Sequence, residues 1–258
     1  MFSQIGIHIG SFTIHWYGLL YIAGGVFCFL YINTVLKGRM PKNADLWDML
    51  GIVFAGIILG GRLGYVLFYN TGYYLSNPLK VLALMEGGMS FFGALVGVVI
   101  GILIYAKKKH ISWATLTDII VVPLPVALGL GRLGNFLNGE LYGKATDLPW
   151  CMYFANGGNI CRHPSQLYAI LLEGIILFVI MLIASRKERR AGVLSGVFGI
   201  GYGVARIITE STRELEPNTP TFLGMITISH VFSVILIAAG IYLVTRRGRP
   251  SVSSPAIH

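Results

Sequence analysis

The stretch DMLGIVFAGIILGGRLGYVLFY, Asp48 to Tyr69, is apolar throughout except for Asp48 at its start and Arg62 near its far end. It is about as long as the ~20 residues a helix needs to cross ~30 Å of hydrocarbon. It therefore predicts a transmembrane helix. A guanidinium placed in hydrocarbon is costly, so Arg62 is expected to face a partner or a cavity.

The rest of the chain follows the same pattern. Of 258 residues, 55% are hydrophobic and only 12% are charged. The mean hydropathy of +0.71 belongs to a polytopic membrane protein, not a soluble domain. Further apolar runs lie near 15–36, 87–106, 118–138, 167–185, 192–210 and 227–245. The third and fourth are the least regular, and Pro123, Pro125 and Gly129 interrupt the fourth. The expected fold is an all-α polytopic membrane protein, a single seven-span membrane domain over 1–258 ending in a short basic tail at 246–258. The N-terminus, MFSQIGIHIGSFTIHWYG, has neither the basic region nor the small-residue cleavage site of a signal peptide.

The net charge of +9 would suit nucleic acid if it were clustered on a soluble face. Instead it is sorted by loop. Lys37, Arg39 and Lys42 follow the first run and Lys107, Lys108 and Lys109 the third. Arg186, Lys187, Arg189 and Arg190 follow the fifth, and Arg246, Arg247 and Arg249 the seventh. Together these are 13 of the 20 basic residues, all on one side of a seven-span arrangement. The opposite loops carry only Lys80, Lys144, Arg162 and Arg213. By the positive-inside rule the N-terminus is extracytoplasmic and the C-terminus cytoplasmic. The charge is topological, and no nucleic-acid partner is expected.

Arg62, Arg132 and Arg206 remain, all inside runs. Each is 14 residues from the inner end of its span (Asp48, Asp118 and Gly192), a depth of roughly 21 Å. Phe92, counted back from Lys107, falls near the same level. A polar layer in the outer half of the membrane could meet lipid phosphates. The plain alternative is that each arginine pairs with a carboxylate, as Arg206 could with Glu210 four residues on, and only ties helices together.

Three polar stretches carry the chemistry. GRLGNFLNGELYG, Gly131 to Gly143, holds Arg132, Asn135, Asn138 and Glu140, with Arg132 and Asn135 on one helical face. A planar guanidinium beside amide donors suits a phosphate diester. RHPSQLY, Arg162 to Tyr168, precedes the fifth run, with Pro164 and Ser165 placed to begin its helix. YGVARIITESTRE puts Tyr202, Arg206, Glu210 and Arg213 along one helical face. GRLG recurs at 61–64 and 131–134 without any longer repeat. Glycines spaced by four, such as Gly56-Gly60-Gly64 and Gly93-Gly97-Gly101, suit close helix packing. Cys28 reads as a small buried residue. Cys151 and Cys161 share a loop, fit no zinc pattern, and could pair if that loop is extracytoplasmic.

Taken in order, HWYGLLY, GRLGYVLFYN, NPL, EGGMSFFGALVG, GRLGNFLNGELYG, RHPSQLYAILLEG and YGVARIITESTRE resemble the prolipoprotein diacylglyceryl transferase family over nearly the whole chain. GRLGNFLNGE is the most specific of them. The resemblance implies a plasma-membrane enzyme of the bacterial inner membrane. It would move the diacylglyceryl group of phosphatidylglycerol to the lipobox cysteine thiol in a prolipoprotein signal peptide, releasing glycerol phosphate. It implies Arg132 and Arg206 as lipid-phosphate ligands. Asn135, Glu140 and Gly143 would shape the site, Glu210 and Arg213 would support it, and Tyr17 and Tyr202 match family positions. No metal and no cofactor are implied.

Two departures stand out. The family commonly reads SFHGG where this chain reads Ser90-Phe91-Phe92-Gly93-Ala94. The histidine favoured as general base is Phe92, which cannot accept a proton. His163, Glu140 and Glu86 are the alternative bases. ELEPNTPTF after Arg213 is also longer than the usual turn. Phe92 motivates a second reading, a non-catalytic paralogue that binds lipid or lipoprotein. A transporter is a third, weakened by the odd span number and the lack of an inverted repeat.

Overall fold

A computed structural model describes residues 6–9, 12–68, 71–83, 87–215, 221–222 and 226–246. The 247–258 part of the expected tail lies outside them, as does Glu86. The protein is mostly helical, and among the described residues its few strands form two small hairpins. The first pairs β1, Gly6–Ile9, with β2, Phe12–His15, just ahead of the first long helix. The second pairs β3, Thr221–Phe222, with β4, Ile226–Thr227, and takes up the end of the ELEPNTPTF segment.

Five helical segments among the described residues are long and apolar enough to cross a membrane. They are α1, Trp16–Thr34; α2, Leu46–Phe68; the continuous segment Ser165–Ser185; α9, Val193–Thr212; and α10, Ile228–Thr245. Between α2 and Ser165 lie α3, Thr71–Ser76; α4, Phe91–Lys109; α5, Trp113–Ile120; and α6, Leu124–Leu137. The expected fourth span is broken: α5 and α6 form one apolar pair bent by 49°, which would make six. Pro123 sits at the break and Pro125 two residues later; a proline there removes a backbone donor and crowds the preceding turn. The expected third span starts late, at Phe91, because Gly87 and Gly88 are left-handed (φ +79° and +84°) and Ser90 caps the helix by accepting from Gly93 N at 3.2 Å. Ser165–Ser185 comprises α7, Ser165–Ala169, a π-helical stretch Ile170–Ile176, and α8, Leu177–Ser185.

The chain divides into two compact units, Arg39–Thr117 and the remainder. In the first, α2 and α4 pack through their glycines. A methyl at Gly56 would meet Gly97 C at 2.8 Å, and one at Gly64 would meet Gly93 Cα at 2.6 Å, so only glycine allows this approach. At one end of the pair Lys109 Nζ bonds Asp48 Oδ2 at 2.8 Å. Near the other, Arg62 is 3% exposed, and among the described residues its hydrogen-bond partners are carbonyl oxygens. Nε donates to Val81 O at 2.8 Å, and Nη2 to Lys80 O at 2.6 Å and Ala83 O at 3.0 Å. Nη1 donates to Gly87 O and to Gly88 O. The Tyr74 ring lies 5.2 Å from the guanidinium carbon. Arg62 thus ties the backbone at Lys80, Val81 and Ala83 to that at Gly87 and Gly88.

In the second unit α1 lies on α6, and α9 on α10. The rings of Tyr17 and Tyr21 sit directly over Gly134 and Gly131, where a methyl would come within 2.9 Å and 3.0 Å of them. The π-helical stretch crosses α6 where Gly129 meets Gly174. Asp118 accepts from Gly192 N and Ser195 N, both at 2.7 Å, and from Ser195 Oγ at 2.6 Å. It thereby holds the amides at the start of α9 that no helical turn can satisfy.

Candidate active site

At the centre of the second unit is a carboxylate to which the sequence reading assigned no role. Glu173, in the π-helical stretch, is fully buried. Its Oε2 stands 3.2 Å from Arg132 Nε on α6, and its Oε1 stands 3.5 Å from an Arg206 Nη on α9. Thr209 Oγ1 donates to Oε1 at 2.8 Å. The network continues along α9: Arg206 bonds Glu210 Oε2 at 2.7 Å, and Arg213 approaches the same oxygen at 3.7 Å. Thr227 Oγ1 donates to Glu210 Oε1 at 3.1 Å, joining the start of α10. Tyr202, one turn before Arg206, stands beside Arg132 and stacks on Phe198.

This combines the two readings offered for the arginines. Arg206 does pair with Glu210, but among the described residues three guanidiniums face two carboxylates. Arg132, Arg206 and Arg213 also line one narrow cleft, together with Leu141, Ser165, Gln166, Ala169 and Thr209. Its wall is a row of guanidiniums already oriented by buried carboxylates, an arrangement that favours a singly charged anion without further reorganisation.

The Gly139–Gly143 turn closes the cleft. Glu140 N donates to Asn135 O at 2.9 Å, Ser165 Oγ to Leu141 O at 2.7 Å, and Gln166 Nε2 to Glu140 O at 2.6 Å. Ser165 is therefore a staple between turn and helix; its side chain makes no cap. Asn135 is buried, and its carbonyl holds the turn. Gly143 allows three backbones to cross: a methyl there would meet His163 O at 2.6 Å and Thr212 O at 2.7 Å. Glu140 itself is exposed, accepts from Asn138 Nδ2 at 3.3 Å, and borders a neighbouring cavity of about 460 Å³ with Tyr142, Asn156, Arg162 and Glu214. Tyr17 donates to Tyr21 Oη at 3.1 Å, and its hydroxyl feels the fields of both Arg132 and Glu140.

His163 is placed differently. Its Nδ1 is 3.2 Å from Tyr168 Oη, which in turn accepts from Trp150 Nε1 at 2.8 Å, and its backbone is tied to Gly143 and Lys144. It lines neither cleft. The loop it anchors is closed by a Cys151–Cys161 disulfide. Phe92 is the second residue of α4, in the other unit.

Glu173 was detectable in the sequence. A carboxylate within the apolar run after RHPSQLY is as costly in hydrocarbon as an arginine. The test applied to the basic residues applies equally to it.

A profile of the prolipoprotein diacylglyceryl transferase family matches residues 4–246. The chain belongs to that family. A phosphatidylglycerol–prolipoprotein diacylglyceryl transferase of Bordetella avium is 42% identical over 258 residues, 98% of each chain. Proteins of the same description from Cupriavidus metallidurans (47% identical, 88% of this chain and 85% of that one) and Geobacter sulfurreducens (43%, 95% and 96%) agree. The diacylglyceryl transferase family is thus reached from the whole chain, not from one motif.

Proposed function

We propose that this chain transfers the diacylglyceryl group of phosphatidylglycerol to the lipobox cysteine thiol of prolipoproteins. It does so in the bacterial inner membrane, with seven spans, an outside N-terminus and a cytoplasmic C-terminus. The observation that carries the reading is the cleft of Arg132, Arg206 and Arg213, three guanidiniums that face two carboxylates among the described residues. Phosphatidylglycerol presents one phosphodiester with a single negative charge. When the thiolate sulfur bonds the glyceryl carbon, the bond from that carbon to the phosphate oxygen breaks. The departing glycerol phosphate gains a second negative charge, and the cleft is worth most at that moment.

The thiol must lose its proton to attack. Glu140 is the base we favour in this chain. It is an exposed carboxylate whose backbone is held by Gln166, a wall of the arginine cleft, and it borders the larger cavity. It stands outside the ion pairs that engage Glu173, Glu210 and Glu214. His163 supports the loop through Tyr168, and Tyr17 and Tyr202 flank Arg132. Asn135 and Gly143 shape the turn.

The deciding experiment incubates purified protein with phosphatidylglycerol and a lipobox peptide and looks for the thioether. Product supports the transferase. No product from protein that binds both substrates favours a non-catalytic paralogue, which Phe92 in the histidine position motivates.

A further inference from the structure

Gln166 is 2% exposed and lines the arginine cleft. Its amide orientation is set by chemistry: Nε2 donates to Glu140 O at 2.6 Å, and the amide oxygen could not bond that carbonyl. Oε1 therefore turns away from Glu140, and it has no hydrogen-bond partner. Buried acceptors are rarely left unpaired, because an empty one keeps its desolvation cost with nothing to offset it. The hydroxyl protons of the cleft are already committed: Ser165 Oγ donates to Leu141 O at 2.7 Å and Thr209 Oγ1 to Glu173 Oε1 at 2.8 Å.

The missing partner must be a donor, and a deprotonated phosphodiester has none. The guanidinium N–H groups of the same cleft are spent on the phosphate once it is bound, so the donor left within reach is a hydroxyl on the alcohol esterified to it. We infer that Gln166 Oε1 accepts a hydrogen bond from a glycerol hydroxyl of the phosphatidylglycerol headgroup, making Gln166 a headgroup-specificity residue. The inference rests on the phosphatidylglycerol-binding reading above. The arginines recognise the charge common to anionic phospholipids, and Gln166 tests for a hydroxyl-bearing headgroup. A headgroup without that hydroxyl leaves the oxygen buried and unpaired.

The test compares dioleoyl-phosphatidylglycerol with dioleoyl-phosphatidylpropanol in mixed micelles. The two share charge and headgroup length, but the second has no free hydroxyl. For the wild-type chain, kcat/KM and equilibrium lipid binding should both favour phosphatidylglycerol by about tenfold or more. For Gln166→Met that preference should collapse towards one, chiefly through loss of phosphatidylglycerol. Equal use and equal binding of the two lipids by the wild type overturns the assignment without any variant. A Gln166→Met protein that loses both lipids in proportion and keeps the wild-type preference also overturns it, reducing Gln166 to a staple for Glu140. If neither lipid supports thioether formation, the transferase reading fails, and the binding ratio still decides the role of Gln166.

Discussion

Arg132 Nε lies 3.2 Å from Glu173 Oε2, and Glu173 is sealed from solvent. The second oxygen of the same carboxylate faces Arg206 at 3.5 Å. One buried acid therefore aims two arginines from different helices at one cleft. Removing it should matter more than its distance from the lipid suggests. Glu173→Ala leaves two guanidiniums short of a counter-charge, and a loss of about 3–5 kcal/mol is expected, read as a lower Tm in detergent. Glu173→Gln keeps the packing and one acceptor; it should unfold at a higher temperature than Glu173→Ala yet still transfer slowly, because its arginines are no longer held in place. Glu173→Gln with full activity would show that orientation by Glu173 is dispensable.

Arg132→Ala should insert into the membrane and fail in transfer, with kcat reduced about 100-fold or more, the scale seen when a donor aimed at developing charge is removed. Arg132→Lys should recover little, since an ammonium cannot reproduce the planar fork. Thioether formation in phosphatidylglycerol vesicles reads both, and near-normal turnover by the alanine variant would remove Arg132 from the mechanism.

If Glu140 takes the thiol proton, Glu140→Gln should be slow at neutral pH and recover as pH rises. Without a base the enzyme depends on thiolate already present. That fraction grows about tenfold per pH unit up to the thiol pKa near ~8.5. The sign is therefore a steeper positive slope of log kcat/KM with pH than in the wild type. Phe92→His should leave the wild-type rate unchanged; a clear acceleration would return the base to position 92.

Arg62 serves its loop. Arg62→Ala would strip donors from the carbonyls of Lys80, Val81, Ala83, Gly87 and Gly88 and should destabilise the protein by on the order of 3 kcal/mol, with earlier proteolysis near those residues. Arg62→Lys should behave nearly as badly, because three donors cannot serve five carbonyls.

The Cys151–Cys161 bridge and the proposed orientation stand together, since disulfides persist on the oxidising side of the membrane. Thiol labelling of the unfolded chain from intact cells should find Cys28 alone before reduction and all three cysteines after it. Three labelled thiols without reductant would contradict the bridge, and a C-terminal reporter found outside the cell would contradict the orientation.

The sequence alone determined that the chain is built of hydrophobic helices and how basic residues are distributed between the loops, because both are local properties of chain length and charge; the bend between α5 and α6 and the late start of α4 came from the structure. It also placed Tyr202, Arg206, Glu210 and Arg213 on one face, because helical spacing is periodic. Only the tertiary structure decided what those groups meet. GRLG occurs twice, yet Arg62 is held by carbonyls of a loop about twenty residues on, while Arg132 is held by a carboxylate 41 residues away. Nothing in the tetrapeptide distinguishes the two fates. The pairing of Arg132 with Glu173, and of Gln166 with Glu140, depends on which helix packs beside which, and no spacing along the chain carries that information.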